Sequence, residues 1–240
     1  TYSDLEVSPR TLLGPGPSMV APRVLRAMAT PLLGHLDPQF LQVMEDEQHL
    51  LRMLFQTQNP LTLAVPGTGS AGMEASLCNF IEPGDSVLVG VNGFFSQRMC
   101  AMASRYGAEV RRIEKPWGEV FTLDEVRAEL DKKPARLAAF VHAETSTGAL
   151  QPLEGLGELL HAQKGLLRLD CVTSLGGMPV AIDGNGVDIA YSGTQKCLGV
   201  PPGLAPLTVS PRAQAALLAR HSKVANWYLD LSLLAKYWGK

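Results

Sequence analysis

The chain has 240 residues, 46% hydrophobic and 18% charged, which suits one large α/β domain or two small ones with a sizeable core and excludes a disordered chain. Its formal net charge of -2 gives no electrostatic case for nucleic acid or an anionic membrane, and no apolar run is long enough to span a bilayer. Cys78, Cys100, Cys171 and Cys197 are widely spaced and form no CxxC pair, a usage that fits a reducing compartment better than a disulfide frame or a zinc site.

The N-terminal stretch TYSDLEVSPR has no basic segment followed by an apolar core, so no secretory leader is expected. A turn-rich GPGPS at 14–18 precedes a helix, and FLQVMEDEQHLLRMLFQ at 40–56 carries apolar residues at helical spacing. After Asn59-Pro60 short apolar runs alternate with helical stretches. Strands are predicted at 61–65, 86–91, 108–114, 136–141, 165–170, 187–192 and 204–210. Helices are predicted at 72–81, 96–107, 122–133 and 153–164, and the tail LDLSLLAKYWGK reads as a helix that stops abruptly. Pro83-Gly84-Asp85 and Gly107 punctuate the pattern as turns. Near-continuously apolar strands alternating with helices predict an α/β fold: a mostly parallel seven-stranded sheet with helices on both faces. Residues 1–60 lead into a domain spanning 61–240.

In such a sheet, ligands collect beyond the carboxyl ends of the strands. The segments PGTGSAG, NGFF, HAETSTG, DCVTS and GTQK all fall there. Gly67 to Gly72 spell GxGxxG, but the second strand ends in Val91-Asn92-Gly93 with no carboxylate for a ribose, which counts against a dinucleotide. What survives is a small-residue loop at a helix N-terminus, offering N–H groups to a phosphate; the alternative is a tight turn capped by Thr68 or Ser70. GPGPS reads as a rigid turn. Asp170 ends an apolar strand. It is either structural or a partner for a cationic ring nitrogen; the scattered histidines supply no metal cluster. Lys196 follows a strand among small and polar neighbours, where a desolvated amine suits Schiff-base chemistry; the alternative is a solvated charge. Phe95 or Phe94 either stacks on a ligand ring or packs in the core. A phosphate-binding helix end, an aspartate and a later lysine along one sheet are together what pyridoxal phosphate requires.

The segments LLGPGPS, FQTQNPLTLAVPGTGSAGMEA, EPGDSVLVGVNGFFSQR, HAETSTGALQPLEGLG, LDCVTSLGGMPVAIDGNGVDIAYSGTQKCLGVPPG and YLDLSLLAKYWG resemble the class V aminotransferases, of the fold-type I pyridoxal-phosphate enzymes. They are most similar to the alanine–glyoxylate and serine–pyruvate group. The resemblance covers essentially the whole chain. It implies transamination between a small amino acid, alanine or serine, and glyoxylate or pyruvate, by a homodimer with no nucleic-acid or membrane partner. It implies that Lys196 binds the cofactor covalently and then shuttles a proton, and that Asp170 pairs with the ring nitrogen. Thr68, Gly69 and Ser70 would hold the phosphate with help from Gln195. Phe95 and Val172 would flank the ring, and Thr145 would hydrogen-bond the cofactor.

The chain departs from the family in carrying Phe95 where tryptophan is common and Ser70 where histidine is common. The resemblance also implies a smaller C-terminal domain, bearing the arginine for the substrate carboxylate, which is not found before Lys240. The alternatives are a class V cysteine desulfurase or lyase, and a truncated, non-catalytic cofactor-binding remnant. Gln195 and Phe95 stand where desulfurases carry histidines, and Cys197 is expected to pack as a small hydrophobe rather than act as a nucleophile. The location implied is intracellular: cytoplasm first, peroxisome or mitochondrion as alternatives.

Overall fold

The structure, a computed structural model, describes residues 7–238. The first six residues of the stretch read for a leader, and the last two of the tail, lie outside the described residues.

Seven strands form one sheet: β1 (Leu61–Pro66), β2 (Ser86–Val91), β3 (Glu109–Glu114), β4 (Leu137–Val141), β5 (Leu166–Asp170), β6 (Ile189–Tyr191) and β7 (Leu204–Val209). Their order is β1-β7-β6-β5-β4-β2-β3, and only β7 runs antiparallel to its neighbours. All seven predicted strands are present, with ends displaced by at most two residues.

The helices follow the predicted order. They are α1 (Pro22–Met28), α2 (Pro38–Phe55), α3 (Gly69–Cys78), α4 (Phe94–Arg105), α5 (Leu123–Lys132) and α6 (Leu156–Ala162), then α7 (Pro211–Leu218) and α8 (Leu231–Leu234), which runs into a 3₁₀ turn at Ala235–Tyr237. The sequence reading missed α7. Its start carries a recognisable signal, Ser210 capping the Ala213 N–H at 3.0 Å and Pro211 in the first turn.

The strands are buried on both faces because successive side chains point to opposite sides. Val87, Val89 and Val91 of β2 pack with α3, α4 and α7 on one face. Leu88 joins α2, α5 and α6 on the other. On β5 the same alternation puts Leu167 and Leu169 with the α2–α5–α6 layer. Arg168 and Asp170 are therefore left on the α3–α4 side with Leu166.

The C-terminal segment is tied to this core by one buried amide. Asn79, at the end of α3, donates to the Leu229 carbonyl at 2.8 Å and accepts from the Leu231 N–H at 2.9 Å. Asn79→Ala leaves both groups without partners at a cost of about 2–4 kcal/mol. Calorimetry is expected to show a melting temperature lower by roughly 5–15 °C, with faster hydrogen exchange at the Leu231 amide.

Candidate active site

Loops from five parallel strands meet at the carboxyl rim of the sheet. After β1 the chain turns at Gly67, whose φ of +130° and whose missing Cβ, which would lie 2.6 Å from that of Ala71, restrict the position to glycine. Thr68 occupies the N-cap of α3, yet its side chain makes no cap bond, so the reading of this turn as a hydroxyl-capped helix start is corrected. Ser70 instead accepts a hydrogen bond from Arg98 at 3.2 Å. Among the described residues the N–H groups of Gly69 and Ser70 have no protein acceptor. They lie at the positive end of a ten-residue helix.

The neighbouring helix start is closed from within. Glu144, after β4 and only 1% exposed, accepts from the N–H groups of Phe95 at 3.5 Å and Ser96 at 3.4 Å. It also accepts from the Ser146 hydroxyl at 2.7 Å. A Cβ on Gly93 would fall 2.3 Å from its Cγ, so glycine is needed where the carboxylate enters. This fixes Phe95 towards the rim, while Phe94 is 49% exposed.

Asp170 ends β5 almost fully buried. One carboxylate oxygen accepts from the Val172 N–H at 2.9 Å and the other from the Tyr191 hydroxyl. Burial pushes its pKa up, and the nearby Arg168 charge, the Tyr191 bond and the Val172 N–H oppose that rise only in part.

After β6 come Gln195 and Lys196. The lysine is half-buried, and its Nζ donates to the Pro15 carbonyl at 2.6 Å. Ser18 completes the cover, bonding the Lys196 carbonyl through its hydroxyl at 2.7 Å and the Gln195 carbonyl through its N–H at 2.8 Å. A Cβ on Gly16 would sit 2.5 Å from the Lys196 Cδ. GPGPS is therefore more than a rigid turn, since it packs over the lysine.

Thr68, Gly69, Ser70, Phe95, Asp170, Val172, Gln195 and Lys196 all line one cavity of about 190 Å³. Thr145 does not; its hydroxyl pairs with that of Thr173. Cys197 is exposed rather than packed as a small hydrophobe, and its Sγ contacts the Thr173 carbonyl at 3.3 Å. Arg98 and Tyr191 also line the cavity, and sequence reasoning missed both. Arg98 lies 5.0 Å from the centre of the Phe95 ring, one turn beyond Phe95 on α4. Tyr191 read only as an apolar strand residue.

The cavity fits pyridoxal phosphate on its own chemistry. Two free N–H groups at the α3 terminus suit a phosphate. Gln195 Oε1 is buried without a partner, and a half-turn of that amide presents N–H groups instead. A buried carboxylate awaits a cation, and an amine stands at the same cavity.

Residues 12–226 match the family model described as Aminotransferase class-V. The alanine–glyoxylate aminotransferase of Mus musculus is 45% identical over 235 residues, covering 98% of this chain and 57% of that protein. The (S)-ureidoglycine–glyoxylate transaminase of Bacillus subtilis is 39% identical, over 96% of this chain and 60% of that one. The crystal structure of an alanine–glyoxylate aminotransferase from Nostoc sp. superposes with a TM-score of 0.99 at 57% identity, over all of this chain and 64% of that one. The chain thus spans a little over half the length of the curated relatives it matches.

The raised pKa of Asp170 has a consequence for stability. Its folded value lies above the ordinary 3.8, so the stabilisation linked to its proton is present at low pH and lost as pH rises through the folded value. Asp170→Asn needs no such proton. In cofactor-free protein it is expected to melt higher than the parent chain near neutral pH and to lose that advantage towards about pH 4. Thermal melts across this range check the sign; a difference that is flat or reversed with pH contradicts it.

Proposed function

The chain belongs to the class-V aminotransferase family, and from that premise we propose that it is the cofactor-binding part of an aminotransferase. The enzyme passes an amino group from a small amino acid, alanine or serine, to glyoxylate or pyruvate. The observation that carries the reading is the single cavity shared by Lys196, Asp170 and the uncapped start of α3.

Pyridoxal phosphate, the cofactor of this family, supplies an aldehyde for amine capture and a protonated ring that draws electrons from the substrate α-carbon. The residues divide the remaining work. Gly69 and Ser70 would bind the phosphate through backbone N–H groups at the helix end, with Thr68 and Gln195 beside them. Arg98, held at Ser70, adds positive charge where the family often has histidine. Asp170 would accept the ring N–H and favour the protonated nitrogen. Phe95 and Val172 would flank the ring. Thr145, which the resemblance sets against the cofactor, pairs with Thr173 outside the cavity lining. Lys196 would hold the cofactor through its aldehyde, and its free amine would serve as the base at the substrate α-carbon. Pro15, Gly16 and Ser18 partly cover that amine.

Residues 61–240 form the cofactor-binding domain in this reading, and residues 1–60 contribute its cover. The apolar side chains exposed on α2, among them Val43, Leu50 and Met53, support a homodimer that buries them. The location is taken as intracellular.

Lys196→Ala is expected to bind pyridoxal phosphate without any link that borohydride can fix, and to lose alanine–glyoxylate transamination by at least about 10²-fold. Absorbance spectra and peptide mapping after reduction check this. Reduction that fixes the cofactor to a different lysine in the unmutated protein overturns the assignment.

A further inference from the structure

Arg168 is a charged side chain that the mechanism does not use. It is completely buried on β5, on the α3–α4 side of the sheet. Its guanidinium donates to the Ser76 hydroxyl at 2.9 and 2.8 Å, reaches the Met73 carbonyl at 3.4 Å and touches the Met99 sulfur. Among the described residues it forms no ion pair. Taking a guanidinium out of water without an anion costs several kcal/mol, and neutral partners return only part of that.

The remaining contact shows where the charge acts. The guanidinium carbon lies 4.7 Å from the centre of the Tyr191 ring, a cation–π arrangement strengthened by burial. The hydroxyl of the same tyrosine donates to the Asp170 carboxylate. Arg168, Tyr191 and Asp170 thus form a buried chain of cation, phenol and carboxylate, of which only the last two reach the cavity. A cation behind the ring polarises the phenol and strengthens its bond to the carboxylate. It also favours the ionised carboxylate over the neutral acid.

We propose that Arg168 is a positioning residue which, through Tyr191, holds Asp170 as an oriented carboxylate ready for a ring N–H before any cofactor arrives. The inference rests on the cofactor reading above. The consequence is selectivity for a ring that carries a protonated nitrogen. A carboxylate pairs with N–H⁺ about twice as strongly as neutral groups pair, and a buried carboxylate facing C–H is left unpaired. A neutral acid loses on the first count and is less penalised on the second.

The test compares the dissociation constants of two probes for the cofactor-free protein: pyridoxal 5'-phosphate, and its carbocyclic analogue with CH in place of the ring nitrogen. The protein is expected to prefer the first. Arg168→Gln removes the charge and can keep a bond to Ser76; it is expected to shrink that preference on the order of tenfold. Tyr191→Phe, which cuts the bond to Asp170 and keeps the ring, is expected to shrink it in the same direction. A purely structural role for Arg168 changes both affinities together and leaves their ratio intact. An unchanged ratio in folded Arg168→Gln therefore overturns the inference, and if that variant does not fold, an unchanged ratio in Tyr191→Phe does the same. If neither probe binds the unmutated protein, the cofactor reading itself fails.

Discussion

The constraint on which the rest of this structure depends is the burial of the Asp170 carboxylate at the end of a central strand. The last residue of a parallel strand covered on both faces is largely shielded from water, so an acid placed there needs protein partners or a ligand. Asp170 finds two, the Val172 N–H and the Tyr191 hydroxyl. Both come from the sheet's own carboxyl rim, one from the turn after β5 and one from β6. The parallel register that sets Asp170 opposite Tyr191 therefore also builds the hydrogen bond, and the fold and the electrostatics of the site have one origin.

Two helix starts open onto the same rim, and the chain treats them differently. The start of α4 is filled by the buried carboxylate of Glu144, an internal anion that satisfies the orphan N–H groups and fixes Phe95. The start of α3 has neither an internal acid nor a hydroxyl cap. That difference leaves the N–H groups at the α3 start open where those at the α4 start are filled. The aromatic ring fixed by the closed helix then lines the cavity beside the open one. Arg98, on α4 but bonded to Ser70 on α3, bridges the two.

Much of this was legible from the sequence, because the signals were local. Seven apolar runs bounded by turns gave seven strands. The carboxyl-end rule then pointed to Thr68, Gly69, Ser70, Phe95, Asp170 and Lys196 before any coordinates. What escaped depends on contacts distant in the chain. Tyr191 looks like any aromatic strand residue until β6 pairs with β5. Glu144 sits in a polar loop, and nothing near it in sequence shows that it caps a helix starting fifty residues earlier. GPGPS has the composition of a turn, and only the closed fold shows that Pro15 meets an amine 181 positions later. Thr145 is the converse case: a resemblance aimed it at the cofactor, whereas its hydroxyl meets Thr173. Cys197 was expected inside because small sulfur residues usually are, but it follows Lys196 on a loop that has left the sheet.

The arrangement also explains why the polar part of this core lies where it does. Arg168 and Asp170 occupy the same face of β5, and Glu144 lies under the neighbouring helix start; all three are nearly or fully buried. Apolar side chains of similar volume there would pack without the desolvation cost, so hydrophobic packing alone does not account for them. Each instead contacts something at the rim: Glu144 the helix start that carries Phe95, Asp170 the Val172 N–H and the Tyr191 hydroxyl, and Arg168 the ring of that tyrosine. The opposite face, behind α2, α5 and α6, packs leucine, valine, alanine and phenylalanine, with Asp188 buried against His161 of α6. The α3–α4 face thus combines an apolar core with buried Arg168, Asp170 and Glu144 near the rim.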